Sequence, residues 1–245
     1  MKTDAESVIT FRDVSKRFGA SQVLRRVALE VPRGASFALV GENGAGKTTL
    51  MKCLLDFCDF EGSILLRGVP STRPEARACL AYLPERFNAP WFLTGREFIR
   101  TMLALGGGHW NDTDVRELLN QLELAPETLE RPVRDFSKGM NQKLGLAACF
   151  LSRREILVMD EPMTGLDPSA RFLVKRLLSG VSQQGKTLFF TSHSLADVEE
   201  ICDHMAVLHK GGLAYEGAPA GLRERYGEPS LERAFLKCIQ ESSHG

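Results

Sequence analysis

The segment Gly41-Glu42-Asn43-Gly44-Ala45-Gly46-Lys47-Thr48 fits G-x-x-x-x-G-K-[ST], with an extra glycine at Gly44. Glycines allow backbone conformations closed to residues with a Cβ, so several N–H groups can converge on one anion. The apolar run Ser36-Phe37-Ala38-Leu39-Val40 precedes the segment, and a helix-like stretch begins near Gly46. That helix start adds free N–H donors and the positive end of a dipole. Gly41, Asn43, Gly44, Ala45, Gly46, Lys47, Thr48 and Thr49 therefore read as the contacts of a nucleoside triphosphate. Lys47 would bring a point charge to the β- and γ-phosphates. Thr48 would offer its hydroxyl to Mg2+, a hard cation that prefers oxygen.

A second group of residues fits the chemistry of phosphate cleavage. Asp160 and Glu161 end the apolar run Ile156-Leu157-Val158-Met159, which reads as a buried parallel strand. Such a strand delivers one acid near the metal and one near the γ-phosphate. Asp160 fits the role of holding Mg2+ through water, and Glu161 that of polarising the attacking water. His193 follows the strand-like Leu188-Phe189-Phe190-Thr191 and precedes a helix, where it could donate a hydrogen bond to the γ-phosphate. The other histidines (109, 204, 209 and 244) have no such setting and read as structural or surface residues. Phe18, before Gly19 in a turn, is either an adenine-stacking aromatic or a packing residue.

The elements that must position these groups follow from periodicity. Strand-like patterns occupy residues 8–14 and 23–31, then 62–68, with a short strand at Ala81-Tyr82-Leu83. Residues 94–105 and 112–124 look helical, with Val115, Leu118, Leu119 and Leu122 at i, i+3, i+4 and i+7 and Asn111 or Asp112 as cap. Ser137 opens a third helix with Met140, Leu144, Ala148 and Leu151 along one face. Alternation then resumes: helix 168–184, strand 187–191, helix 194–201, strands near 205–209 and 213–216, and one or two short tail helices. This is an α/β pattern with a ligand at the carboxyl ends of its parallel strands.

The chain of 245 residues, 43% hydrophobic and 25% charged, has the composition of a globular protein with a sizeable core. A net charge of +0 gives no basic field for nucleic acid. The six cysteines lack metal spacing and read as reduced cytosolic thiols, with Cys53 and Cys58 both placed in the helix after the phosphate loop. No apolar run approaches the ~20 residues of a membrane span.

Five motifs in order then identify the chain as resembling the ATP-binding subunit of an ABC transporter. They are the phosphate loop, Phe136-Ser137-Lys138-Gly139-Met140-Asn141-Gln142, Ile156–Pro162, Gly165-Leu166-Asp167-Pro168 and Thr191-Ser192-His193. The resemblance implies a P-loop NTPase with a largely parallel core sheet, an N-terminal antiparallel β subdomain and an inserted helical subdomain. It implies one ATPase domain over residues 1–245: a nucleotide-binding core from 1–85 and 151–217, a helical insertion at 86–150 and a short helical tail at 218–245. On this likeness Phe18 stacks on adenine, Ser137 and Gly139 belong to the signature that closes over a partner's γ-phosphate, Asp167 communicates across the dimer, and His193 is the γ-phosphate switch.

Two positions depart from the common pattern. Lys138 and Met140 stand where the signature usually has glycine and glutamine, which adds positive charge beside a helix start. Glu85, in Tyr82-Leu83-Pro84-Glu85, stands where many relatives carry the glutamine that senses Mg2+ and water. A carboxylate can still face the metal. With the tail Ser230–Leu236, these variants look most like the drug, lipid, ion or polysaccharide export branch. The likeness further implies ATP and Mg2+ as cofactors, a second ATP-binding subunit, and a separate membrane-spanning permease that holds the chain on the inner face of the cell membrane. Pro90-Trp91-Phe92-Leu93 is an apolar cluster suited to receive the permease, or plain core. A soluble ATPase of the same superfamily, acting in cofactor assembly, is the alternative.

Overall fold

The computed structural model describes residues 6–243. The first strands, β1 (Ser7–Phe18) and β2 (Ser21–Pro32), form a hairpin through Gly19. After β3 (Ser36–Val40) and helix α1 (Lys47–Leu54), β4 (Glu61–Leu66) and the short β5 (Val69–Pro70) complete an antiparallel sheet in the order β2-β1-β4-β5. A single turn of helix, α2 (Pro74–Arg77), leads into β6 (Leu80–Leu83). Three helices follow: α3 (Gly95–Leu105), α4 (Asp112–Gln121) and α5 (Lys138–Leu151). The chain then alternates through β7 (Ile156–Met159), α6 (Pro168–Ser179), β8 (Thr187–Ser192), α7 (Leu195–Ile201), β9 (His204–His209) and β10 (Gly212–Gly217), and ends in α8 (Pro219–Tyr226) and α9 (Leu231–Glu241).

The second sheet has the order β10-β9-β3-β8-β7-β6. All its neighbours run parallel except β10 against β9. Strand alternation splits its side chains between two cores. Phe37, Leu39, Ile156, Val158, Phe189, Ala206 and Leu208 point toward the antiparallel sheet and enclose α1 through Leu50, Met51 and Leu54. The Phe189 ring meets Phe11 and Phe37 there, with centroids 6.0 and 5.9 Å away. Ala38, Val40, Leu157, Met159, Leu188, Phe190, Met205 and Val207 face the other way and pack on the helices. Helix α1 thus lies between two sheets, fixed on both sides.

The helices of the middle region have the expected faces and caps. Val115, Leu118, Leu119 and Leu122 are all buried. Thr94 and Glu97 form a reciprocal capping box at α3, and Asn111 caps α4 by accepting from Thr113 N and Asp114 N. Two expectations need correction. The helix expected over 168–184 stops at Ser179, with Gly180 at its C-cap, because Val181 turns inward and is completely buried; a separate 3-10 turn covers Ser182–Gln184. Cys58 does not lie in α1, which ends at Leu54; Asp56, at φ +60°, turns the chain back so that only Cys53 is helical. His244 lies outside the described residues.

Candidate functional site

Four parallel strands end at one edge of the second sheet, and each hands over to a chemically active segment. Strand β3 leads into Gly41, β7 into Asp160 and Glu161, β8 into His193, and β6 into Glu85. Central β3 lies between β8 and β9, consecutive strands that are both far from it in sequence, so the chain crosses over β3 here and opens a crevice at the strand ends. A cavity of about 680 Å3 occupies it, lined by Phe18, Asn43 through Thr49, Glu85, Glu161, Thr164 and His193, with Val23 and Glu42.

The phosphate loop owes its shape to close approaches. At Gly46 the backbone has φ +111° and a Cβ would fall 2.8 Å from Leu24 Cδ2, so only glycine fits. At Gly41 a Cβ would collide with the Leu208 carbonyl of β9. No side chain caps α1 at Gly46, which leaves the helix's leading N–H groups facing the cavity-lining segment. The Lys47 ammonium folds back across the loop and donates to the Gly41 carbonyl at 2.6 Å and the Glu42 carbonyl at 3.2 Å. Burial lowers its pKa, while the carboxylates of Glu161, Asp160 and Glu85 oppose that shift.

The acidic pair is held from β8. Asp160 is 2% exposed and accepts from the Thr191 hydroxyl at 2.6 Å. The same hydroxyl accepts from Glu161 N at 2.9 Å. Glu161 has φ +48°, a left-handed conformation costing a non-glycine residue roughly 1–3 kcal/mol. The Thr191 bond and the bond from Thr164 N to the Glu161 carbonyl, at 3.1 Å, hold it there. Nδ1 of His193 lies 2.8 Å from Oε2 of Glu161. Asp160 does not line the cavity but stands beneath it, whereas Glu161 and His193 form its wall. Phe18 is half exposed, with the Lys16 ammonium 4.8 Å from its ring centroid.

The remaining sequence candidates are not brought into this cavity. Ser137 caps α5, its hydroxyl accepting from Met140 N at 3.1 Å, and Gly139 follows in the first turn. Asp167 caps α6 by accepting from Ala170 N at 3.0 Å, and that backbone bond is the main cause of its lowered carboxyl pKa. Lys138 runs over Gly165, its ammonium filling the space a Cβ would need. The two exposed helix starts are therefore side by side, outside the cavity.

Some participants were not singled out in the sequence. Thr191 bridges Asp160 and Glu161 through one hydroxyl; its neighbourhood to His193 was the available signal. Gln142, buried in α5, donates to the Pro162 carbonyl at 3.0 Å and ties the Ser137 helix to the Glu161 loop. His209, read as a structural or surface residue, is buried, with Nδ1 3.3 Å from the Glu42 carboxylate of the phosphate loop.

Comparison with known proteins bears on the family and the fold. A family model described as "ABC transporter" matches residues 24–164. An uncharacterised ABC transporter ATP-binding protein of Synechocystis sp. is 38% identical over 91% of the chain, which spans 63% of that protein's length. The bacitracin transport ATP-binding protein BcrA of Enterococcus faecalis is 33% identical over 90% of the chain and 72% of its own length. A solved structure of an ATP-binding subunit of an ABC transporter superposes with a TM-score of 0.85 at 28% identity, covering 95% of this chain and 99% of that one. Among the described residues, no helix is long and apolar enough to cross a membrane. On the family model and these relatives, the chain belongs to the ABC transporter family.

Proposed function

We propose that the chain binds and hydrolyses ATP as one of a pair of subunits and thereby drives transport, in the outward direction, through a separate membrane-spanning permease. The observation that carries this reading is the single cavity shared by the phosphate loop, Lys47, Glu161 and His193. Phe18 at one end offers a ring for adenine, and the free N–H groups of α1 at the other face the phosphates. Lys47 exchanges its carbonyl partners for phosphate oxygens. Glu161 takes a proton from the attacking water, with His193 holding its Oε2 so that the other oxygen faces the water.

The donor set fits Mg2+. Thr48 and Glu85 on the cavity wall and Asp160 beneath it are all oxygen donors, as a hard cation prefers. Among the described residues no three His, Cys, Asp or Glu side chains converge, so phosphate oxygens and water would complete the shell. When bound, the ion neutralises charge developing on the phosphates.

Pairing is supported by what the cavity lacks from its own chain. Ser137 and Gly139 lie at an exposed helix start outside it, and in a pair they would meet a γ-phosphate held by the second copy. The permease would dock near the helices of 86–150, which we read as the insertion between 1–85 and 151–217. Trp91 and Phe92 there are each about two-thirds exposed, in edge contact at 5.7 Å. Two adjacent exposed aromatics make a contiguous apolar patch of the kind that marks an interaction site. The chain would thus sit on the inner face of the cell membrane without entering it. Phosphate release by the purified chain with MgATP tests the reading. Specific activity should rise with chain concentration, because each productive site needs two chains; no release above background at any concentration would refute it.

A further inference from the structure

The sulfurs of Cys53 and Cys58 lie 3.7 Å apart at the C-terminal end of the phosphate-loop helix, at van der Waals contact. They belong to one hairpin-like turn. Cys53 is in the last turn of α1, and the chain reverses through Leu55, Asp56 at φ +60° and Phe57, whose N–H donates to the Lys52 carbonyl at 2.8 Å. Cys53 is completely buried and Cys58 half-buried, so the pair has an inner and an outer member. We propose that this pair is an oxidative modification site, closed to a disulfide by a peroxide, and that closure weakens nucleotide binding through Asp59, Lys16 and Phe18.

The chemistry balances with hydrogen peroxide as oxidant. The Cys58 thiol loses its proton and its sulfur attacks one peroxide oxygen. The S–O bond forms, the O–O bond breaks, and the leaving hydroxide takes up that proton as water, giving a sulfenic acid. The Cys53 sulfur then attacks the Cys58 sulfur. The S–S bond forms, the S–O bond breaks, and the departing hydroxide leaves as water with the Cys53 proton. Two thiols lose two electrons, one peroxide gains them, and two waters form. Burial raises the pKa of the Cys53 thiol and shuts it off from solvent, so the partly exposed Cys58 is the thiol that meets the oxidant.

The route to the nucleotide is a row of direct contacts. Asp59, next to Cys58, accepts from the Lys16 ammonium at 2.8 Å. Lys16 is 6% exposed in its side chain, and its ammonium stands 4.8 Å from the centroid of the Phe18 ring. Each partner stabilises the other's charged form: the carboxylate raises the Lys16 pKa, and the ammonium lowers that of Asp59. A disulfide brings the sulfurs to about 2.05 Å. Shortening the gap from 3.7 Å draws residue 58 onto the helix end and carries Asp59 off Lys16. The ammonium under Phe18 is then no longer anchored, and the ring that receives adenine loses its support.

The experiment treats the purified chain with hydrogen peroxide, alkylates the remaining thiols and maps the peptides by mass spectrometry. A fluorescent ATP analogue then reports affinity before and after treatment. The expected result is a Cys53–Cys58 crosslink, reversed by dithiothreitol, with affinity lowered on the order of 3- to 10-fold, small beside the effect of losing one contacting group. Cys58→Ser should bind the analogue normally and be indifferent to peroxide; Cys53→Ala gives the same test from the buried side. Asp59→Asn should bind like oxidised wild type and lose no more affinity when crosslinked. Alkylation of both thiols after treatment, or oxidation of Cys58 alone to its sulfinic acid, would overturn the site. A crosslink without a change in affinity would overturn the coupling. The crosslink is read without ATP turnover, so its failure is distinct from failure of the proposed function.

Discussion

Nδ1 of His193 stands 2.8 Å from Oε2 of Glu161, which makes the two residues one unit at the mouth of the cavity. The Thr164 hydroxyl donates to the same oxygen at 3.4 Å. One carboxylate oxygen of Glu161 is therefore engaged by two neighbours, which fixes how the side chain is turned. Because β7 and β8 are adjacent and in register, the pair is set by sheet geometry. The loops only aim the side chains.

Glu161→Gln separates positioning from basicity. Glutamine keeps an oxygen for His193 but accepts no proton at neutral pH, so hydrolysis should fall about 10²–10⁴-fold while nucleotide still binds. With turnover stalled, MgATP should trap a dimer that size-exclusion chromatography resolves. Near wild-type phosphate release in this variant would remove Glu161 from the chemistry.

Lys47→Ala acts on the other side of the cavity. Its ammonium, held by two loop carbonyls at 2.6 and 3.2 Å, is already at the turn that a triphosphate would occupy. Loss of a charge-assisted contact to phosphate should weaken a fluorescent ATP analogue about tenfold or more, from roughly 1.5–3 kcal/mol per such bond. Titration that matches wild type would place the triphosphate elsewhere.

Thr191→Val keeps the shape of a completely buried side chain and removes its hydroxyl. Asp160 then loses a donor at 2.6 Å and Glu161 N an acceptor at 2.9 Å. An unpaired buried polar group costs roughly 1–3 kcal/mol, and the left-handed Glu161 backbone loses one of its restraints. Both stability to urea and the rate of phosphate release should drop. If the urea midpoint moves and the rate does not, Thr191 is structural and has no part in aiming Glu161.

The site was largely legible in the sequence because its pieces are local. Gly41–Thr48, Asp160-Glu161 and His193 each sit within a few residues of a strand end, and a parallel sheet brings strand ends together whatever the loops do. What escaped depends on three-dimensional contact. Thr191 looks like an ordinary strand residue until β7 is laid beside β8. Periodicity alone carries Cys58 into α1, because it does not register the left-handed turn at Asp56 that ends the reach of the helix. The stop at Ser179 is likewise a matter of tertiary contact: Val181, just beyond it, is completely buried.

Ser137 provides the test of pairing. It caps α5 with its hydroxyl oxygen accepting from Met140 N, so its own proton is free for an outside acceptor, and it lies beyond the cavity that Asn43 lines. If the Ser137 helix start closes over a partner's phosphates, Ser137 of one chain and Asn43 of the other come together when ATP is bound. Ser137→Cys and Asn43→Cys in one chain should then form a crosslink between chains under mild oxidation, strengthened by MgATP in the Glu161→Gln background. Each single variant controls for the six native cysteines. A band of doubled mass that requires both new cysteines and nucleotide supports closure in trans. A link confined to single chains, or one indifferent to nucleotide, would place Ser137 outside the ATP-dependent interface.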